Sequence, residues 1–546
     1  MLHNTEFLGP ETSISQEIDM MKYRQKDESF DEKIKRIANT LSDNEDHRYK
    51  LEGILGNMRF LPAGRVQAAI GSNRITTAYN CFVSGIIDDN MNSIMEKASE
   101  AAETMRRGGG IGYDFSRIRP RGDKIKSLDS QASGPVSFMG IFDAVCQTIA
   151  SSGHRRGAQM GVLRVDHPDI KEFITAKRNS DKLTGFNISV GITDKFMEAL
   201  TNDLDSSFTL EFEEIFATNP CGEQPLPPYG ACLLGSFNLT KYLDEEQIAG
   251  GEKAQSHFEF DFKKFKADIY QVVRAMDNVI DRTIYPLKEQ ADEAKNKRRM
   301  GLGLTGLANT GELLGLPYAS EEFMTWSEKI FACLRDTTYK ASALLAKEKG
   351  AFPLYREAYL KSNFVRGLPS SVKKLIREHG IRNSHLTSIA PTGTISLVAD
   401  NVSGGIEPVF SHYYDRTIQT FEGPKTERVK DYAYNKGVEG RSANDINVNE
   451  HLAVLLLAQN YIDSACSKTC NVGDDISYED FKQVYVDAWK GGAKGCTTFR
   501  LSGKRFGVLQ TVEEKEKNTD AIETVKEEEQ VEACFIDPQT GQKECA

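Results

Sequence analysis

No cysteine in this chain is followed by a second one three residues later, although ten occur among 546 residues. That spacing underlies zinc ribbons and thioredoxin-type redox sites, so neither is expected. The chain also lacks any run of about 18 apolar residues, so no membrane-spanning helix is expected. Its N-terminus, "MLHNTEFLGPETSISQEIDMMKYRQKDESF", shows no basic-then-apolar leader pattern. Without a leader, the thiols are expected to be reduced in a cytoplasmic setting and to serve packing, metal binding or redox chemistry. Positive charge is in deficit, with a formal net charge of −11. Neither a nucleic-acid coat nor a membrane-surface binder is expected from such a balance. Two phosphate-binding signatures are missing as well. In "RRGGGIGYDF", residues 106–115, no glycine falls three positions after Gly112, and the dinucleotide pattern fails. "LSGKRFG", residues 501–507, lacks the upstream glycine and the following Ser or Thr of a P-loop.

What is present describes a globular protein, 39% hydrophobic and 27% charged, rather than a disordered chain. The length suits one large catalytic domain with appendages, or two to four ordinary domains. Residues 1–58 are polar with helical spacing and read as an N-terminal helical region. From 59 to about 510, short apolar runs alternate with amphipathic helices, which predicts an α/β domain with much parallel sheet. "CFVSGIID" (81–88) reads as a strand. Residues 90–110 read as a helix capped by Asn90, with Met91, Ile94, Met95, Ala98, Ala102 and Met105 on its apolar stripe. "FNISVGI" followed by "TDKFMEAL" repeats the strand-then-helix pattern. "HLTSIA" (385–390) reads as a further strand. Residues 511–533 hold nine acids and three lysines with few apolar residues, and read as a flexible, self-repelling linker. The tail 534–546 carries Cys534 and Cys545.

Three stretches carry chemistry. In "ATNPCGEQPLPPYGACLLGSFNLT" (217–240), Asn219, Cys221 and Glu223 alternate. If the stretch is extended, amide, thiol and carboxylate point to one face and could meet one small ligand. A buried structural thiol is the competing reading. "IAPTGTIS" (389–396) ends a strand at Pro391 and continues with Thr392, Gly393, Thr394 and Ser396. Such a turn is either an anion site built from helix N-terminal amides and hydroxyls, or a capped turn and nothing more. "GHRRGAQMGVL" (153–163) sets two arginines among small residues, as a phosphate contact or a surface ion-pair cluster. Cys466 and Cys470 have helical i,i+4 spacing and, with Cys146, Cys333 and Cys496, read as packing residues. A tail dithiol can reduce an internal disulfide by thiol exchange. The linker reaches roughly 25–30 Å as a flexible coil and nearly 80 Å when extended.

Taken in order, "FLPAGR", "NCFV", "RRGGGIG", "SGPVSFM", "RRGAQMG", "NPCGEQPL", "GSFNL", "RRMGLGLTG", "APTGTIS", "GGIEP", "SKTCNV" and "KGCTTFRLSGKR" resemble a ribonucleotide reductase catalytic subunit over about residues 59–507, plus the tail. The resemblance implies a ten-stranded α/β barrel with a central finger loop that carries the radical cysteine. It implies that Cys221 becomes a thiyl radical and abstracts the 3′ hydrogen of the substrate ribose. Glu223 would take the 3′-hydroxyl proton and Asn219 would hydrogen-bond the ribose. Cys81 and Cys232 would be the reducing dithiol, and Cys534 and Cys545 the tail pair that re-reduces it before a thioredoxin-like protein reduces the tail. Substrate would be held by Asn80 and by the turn of Pro391, Thr392, Gly393, Thr394, Ile395 and Ser396. Asp88 and Arg119 fall at effector-site positions, implying control by deoxynucleoside triphosphates at the interface of a homodimer.

The wording is most similar to class II, the adenosylcobalamin-dependent enzymes. Subunits that receive a radical from a separate metalloprotein carry two adjacent tyrosines where Thr498 and Phe499 stand here. Tyr413 and Tyr414 lie elsewhere and read as structural. The glycyl-radical motif of the anaerobic class is absent. The N-terminal region is expected to be too short for an ATP-cone domain, and Ala63 replaces the commoner polar residue of "FLPAGR". The implied activity is reduction of ribonucleotides, expected as diphosphates, for DNA synthesis. Two rival readings are a reductase α subunit that borrows its radical from a partner, and an inactive nucleotide-binding regulator.

Overall fold

The computed structural model describes residues 7–149, 158–178, 182–201, 214–247, 256–420 and 423–500, together with the backbone of 534–536 and 543–545. Three helices open it, Ser13–Tyr23, Phe30–Leu41 and Glu45–Gly56. The second starts with a capping box, in which Ser29 and Glu32 satisfy each other's end of the first turn. Its Ile34, Ile37 and Leu41 share one core with Phe60, Phe237, Leu302 and Leu304 of the sheets behind it. Apolar periodicity therefore produces helices that cannot bury their stripes alone and close against the sheet.

Two sheets of three or more strands stand behind these helices. The larger has five strands in the spatial order Ala231–Cys232, Cys81–Val83, Gly110–Asp114, Gln159–Arg164, Phe186–Gly191. The last four run parallel, and the first pairs antiparallel with Cys81–Val83. Their central members are buried along nearly their whole length, which is why they read as continuous apolar and glycine runs. The smaller sheet orders Phe60–Pro62, Leu234–Asn238 and Gly301–Thr305, the last two parallel. Only Leu233 separates the strand 231–232 from 234–238, so one stretch of chain feeds both sheets. Beyond Gly301–Thr305, parallel bridges join Leu302 to Thr387 and Ile389 to Cys466. The segment read as the strand "HLTSIA" is thus bridged on both sides without forming a regular strand. Among the described residues no sheet closes into a barrel, and the mixed α/β architecture is what is observed.

Two local expectations need correction. The helix begins after Asn90, whose side chain accepts from the Ser93 amide at 2.9 Å, and it ends at Arg106. Ile94, Ala98 and Met105 are buried, but Met91 and Met95 are about half exposed, at 55% and 49%. The single stripe splits because Ala101 and Thr104 also face the core, leaving Met91, Met95 and Ala102 on a second face. Cys470 lies on a strand, Thr469–Val472, paired in parallel with Thr497–Arg500, so its spacing from Cys466 is not helical. The linker 511–533 and the arginines of "GHRRG" lie outside the described residues. In the tail the backbone of Cys534–Ile536 pairs antiparallel with Lys543–Cys545, Cys534 opposite Cys545.

Candidate active site

Ala217–Thr218 and Pro225–Leu226 form a two-stranded hairpin whose tip is residues 219–224. Gly222 takes φ +78°, a conformation that glycine adopts without penalty, and its amide donates to the Asn219 carbonyl at 3.0 Å. The Gln224 amide donates to Asn219 Oδ1 at 3.0 Å. The tip is therefore a turn, and strand alternation does not apply to it. Asn219 and Glu223 are buried at 0% and 2%, while Cys221 is exposed. Three separate elements hold the tip. Asn187 Nδ2 donates to the Pro220 carbonyl at 2.9 Å. Ser388 Oγ and the Ala465 amide donate to the Glu223 carbonyl at 2.9 and 3.0 Å.

Glycines let the hairpin come close to both sheets. A Cβ on Gly112 would lie 2.1 Å from the Thr218 carbonyl oxygen, and one on Gly301 2.4 Å from Gln224 Nε2. Gly110 faces Pro220 and Cys81, at 3.3 Å and 3.2 Å from a built Cβ. The hairpin therefore touches the five-stranded sheet on one side and the three-stranded sheet on the other.

Across the first pair of the larger sheet, Cys232 stands directly opposite Cys81. Cross-strand partners have Cα atoms about 4.5–5.5 Å apart, inside the range a disulfide spans. Burial pushes the Cys232 thiol well above the ordinary cysteine range, and Cys81, Glu223 and Cys221 push it the same way. Those three groups therefore share its surroundings. Burial raises the Glu223 carboxyl to about 7. Asn80 precedes Cys81, and its amide donates to the Cys232 carbonyl at 3.3 Å. Around this cluster Asn80 Oδ1, Asn219 Nδ2, Glu223 Oε2 and both amide atoms of Gln224 have no hydrogen-bond partner. Each buried orphan of this kind costs about 1–3 kcal/mol. Their concentration around one thiol marks a site shaped for a polar ligand.

Sequence reasoning passed over Gln224, Asn187 and Ser388. The signal for Gln224 was its place beside Glu223 in "NPCGEQPL". The other two lie far from the motif in sequence and meet it only in space.

The "APTGTIS" turn begins the short helix Gly393–Val398, with Thr392 left-handed at φ +52°. Thr392 and Ser396 hydroxyls bond each other at 2.8 Å and Thr305 Oγ1 at 3.0 and 2.7 Å. These hydroxyls hold the turn's shape. Pro391 and Gly393 are exposed, Thr394 is half-buried and Ile395 is buried. The N-terminal helix braces the turn from behind. Ser15 Oγ donates to the Leu397 carbonyl at 2.6 Å, and Asp400 accepts from the Glu11 and Thr12 amides. Asp88 and Arg119 are not paired with each other. Asp88 meets Arg117 at 3.5 Å, and Arg119 meets Asp89 at 2.5 Å, all beside the start of helix Met91–Arg106. Tyr414 is buried with its hydroxyl on Asn401 Oδ1 at 2.8 Å. The side chains of Cys534 and Cys545 lie outside the described residues.

The thiol at the hairpin tip, the buried carboxyl beside it and the opposed cysteine pair are thus brought together from three stretches of the chain. A family model described as "Ribonucleotide reductase, barrel domain" matches residues 79–211 and 205–499. A vitamin B12-dependent ribonucleoside-diphosphate reductase of Mycobacterium tuberculosis (strain CDC 1551 / Oshkosh) is 33% identical, over 85% of this chain and 73% of the relative. One from Thermoplasma acidophilum is 30% identical over 87% and 68%. A ribonucleoside-diphosphate reductase subunit alpha from Chlamydia muridarum is 25% identical over 66% and 43%. The chain belongs to the ribonucleotide reductase family.

Proposed function

We propose that this protein reduces ribonucleoside diphosphates to 2′-deoxyribonucleotides by thiyl-radical chemistry, using adenosylcobalamin to generate the radical. The observation that carries the reading is the meeting of Cys221, Glu223, Asn219, Cys81 and Cys232 around one cluster of buried polar atoms without partners. The vitamin B12 dependence of the relatives supports the cofactor. The donor set fits it too. Cys221 is exposed at the tip, open to a cofactor that approaches from outside. Adenosylcobalamin supplies, when bound, a homolytically cleaved cobalt–carbon bond and hence the one-electron oxidation of a thiol.

The chain's own residues do the rest. Cys221 removes the 3′ hydrogen atom, and Glu223, with an affinity for protons matched to neutral pH, takes the 3′-hydroxyl proton. Asn219 and Asn80 orient the ribose with their open polar atoms. The 2′-hydroxyl leaves as water, Cys81 and Cys232 supply two electrons and become a disulfide, and Cys221 returns the hydrogen atom to C3′, which restores its thiyl radical. Cys534 and Cys545 restore that pair by exchange, and a thioredoxin-like protein reduces the tail. The turn 391–396 holds the phosphates. The hairpin 217–226 acts as the finger loop of a ten-stranded barrel within residues 59–510, with 1–58 as an N-terminal brace, 511–533 as linker and 534–546 as tail.

The working unit is a cytoplasmic homodimer under deoxynucleotide control. Helices Met91–Arg106 and Pro135–Thr148 share a groove of about 650 Å³ lined by Ala102, Ile141, Ala144 and Val145. The half-exposed Met91 and Met95 extend its apolar face. A second copy laid across it forms a four-helix contact, and Asp88 and Arg119 at the helix start then border the interface as the effector site. No described helix is long and apolar enough to cross a membrane.

The test is reduction of ribonucleoside diphosphates by the purified full chain with adenosylcobalamin and dithiothreitol alone. Turnover is expected. Turnover only after a separate metalloprotein is added would establish the two-subunit alternative instead.

A further inference from the structure

The mechanism leaves a second set of thiols unused. Cys470 and Cys496 lie on the parallel strands Thr469–Val472 and Thr497–Arg500 or at their start, Cys470 in register with Thr498. The two side chains meet where these strands pair, each within interaction range of the other and of Lys468. Cys470 is fully buried, whereas Cys496 is half-buried and opens toward solvent. Both remain thiols in this structure.

A cation is built in next to them. Lys468 is buried, and its Nζ donates to Glu407 Oε2 at 2.6 Å and to His451 Nδ1 at 2.8 Å. Burial and the Lys468 charge hold His451 down at about 3, so it stays a neutral acceptor. Glu407 is fixed in turn by the Thr469 amide, which donates to its Oε1 at 2.6 Å. Tyr485, packed alongside, places its hydroxyl 2.8 Å from Thr498 Oγ1. The contact with Cys496 and the Lys468 charge hold the Cys470 thiol below the ordinary cysteine range, against burial and the Glu407 carboxylate. Thiolates beside a cation are the reactive form of cysteine.

We propose that Cys470 and Cys496 form a second redox-active dithiol, which hydrogen peroxide converts into a disulfide joining these two strands. The pair's thiolate attacks the O–O bond, giving a sulfenic acid on one sulfur and, after protonation, one water. The other thiol displaces hydroxide from that sulfenic acid, the S–S bond forms, and a second water leaves. Two electrons pass from the two sulfurs to one peroxide molecule. A small dithiol reverses the reaction by exchange. Peroxide is the fitting oxidant because a water-sized molecule can pass the half-buried Cys496, where a protein disulfide cannot.

The full chain is treated with hydrogen peroxide, blocked by alkylation and digested with trypsin. Cleavage after Lys468, Lys482, Lys494 and Arg500 puts the two cysteines on separate peptides, 469–482 and 495–500, apart from Cys466. The expected product is these two peptides joined, two hydrogen atoms lighter than their sum, abolished by dithiothreitol and absent from Cys496→Ser. Finding both cysteines alkylated after peroxide treatment that oxidises other thiols of the chain would overturn the proposal. So would irreversible oxidation of Cys496 alone. Neither result depends on whether the protein reduces nucleotides.

Discussion

Glu223 shows how one side chain can be tuned by its surroundings. Burial lifts its carboxyl to about 7, from an ordinary 4.5. Two consequences have opposite signs. In the proposed role of base it would work only when ionised, so turnover should rise with pH through about 7. For stability, the folded state binds the proton that the unfolded state has already released between about 4.5 and 7. Glu223 therefore lowers stability as pH rises through that window, by on the order of 3 kcal/mol when complete. Glu223→Gln keeps the shape and removes the titration. It should cost about 10²–10⁴-fold in turnover, the usual worth of a positioned base. It should also flatten the fall in stability between pH 5 and 8. Denaturant unfolding at the two pH values, beside a pH–rate profile, checks both, and an unchanged stability slope would contradict the assignment.

Among elements, the hairpin 217–226 depends on glycines that belong to other strands. Gly112 has no room for a methyl group, since a Cβ would sit 2.1 Å from the Thr218 carbonyl. Gly112→Ala must push the hairpin away from the sheet. Overpacking of this sort costs about 1–3 kcal/mol. The larger effect should fall on turnover, at least about tenfold, because sub-ångström placement governs the reacting geometry. Gly53→Ala is the control, as nothing lies within 4 Å of its Cβ. It sits within helix Glu45–Gly56 and should be neutral or slightly stabilising. Steady-state assays and thermal melts of the two variants separate a displaced hairpin from a loss of fold.

For the whole molecule, the groove between helices Met91–Arg106 and Pro135–Thr148 is where a second copy should dock. Ala144 is exposed on its wall. Ala144→Arg should shift the protein from dimer to monomer in sedimentation and remove any effect of deoxynucleotides on substrate choice. Basal turnover with a small dithiol should stay within about threefold, since the groove and the thiol cluster share no residue. A variant that remains dimeric would place the contact elsewhere.

The periodic elements are legible in the amino-acid sequence alone. Asn90 caps its helix, and "FNISVGI" and "TDKFMEAL" become strand Phe186–Gly191 and helix Asp194–Thr201, because caps and apolar spacing are local properties. The cysteines, Asn219 and Glu223 are also visible there as residues with chemistry. Their arrangement is not. Strand alternation puts Asn219, Cys221 and Glu223 on one face, whereas the turn at Gly222 buries the amide and carboxylate and exposes the thiol. The register that sets Cys232 opposite Cys81 joins residues far apart in the chain, as do the contacts of Asn187 and Ser388 with the hairpin. Cys470 reads as a packing residue, and only the pairing of two strands brings Cys496 to it. By itself the sequence determined which side chains can do chemistry and which segments can be helices, since both depend on residue type and near neighbours. Only the tertiary structure decided which of those side chains meet and how strongly each holds its proton, because proximity and desolvation arise from long-range packing.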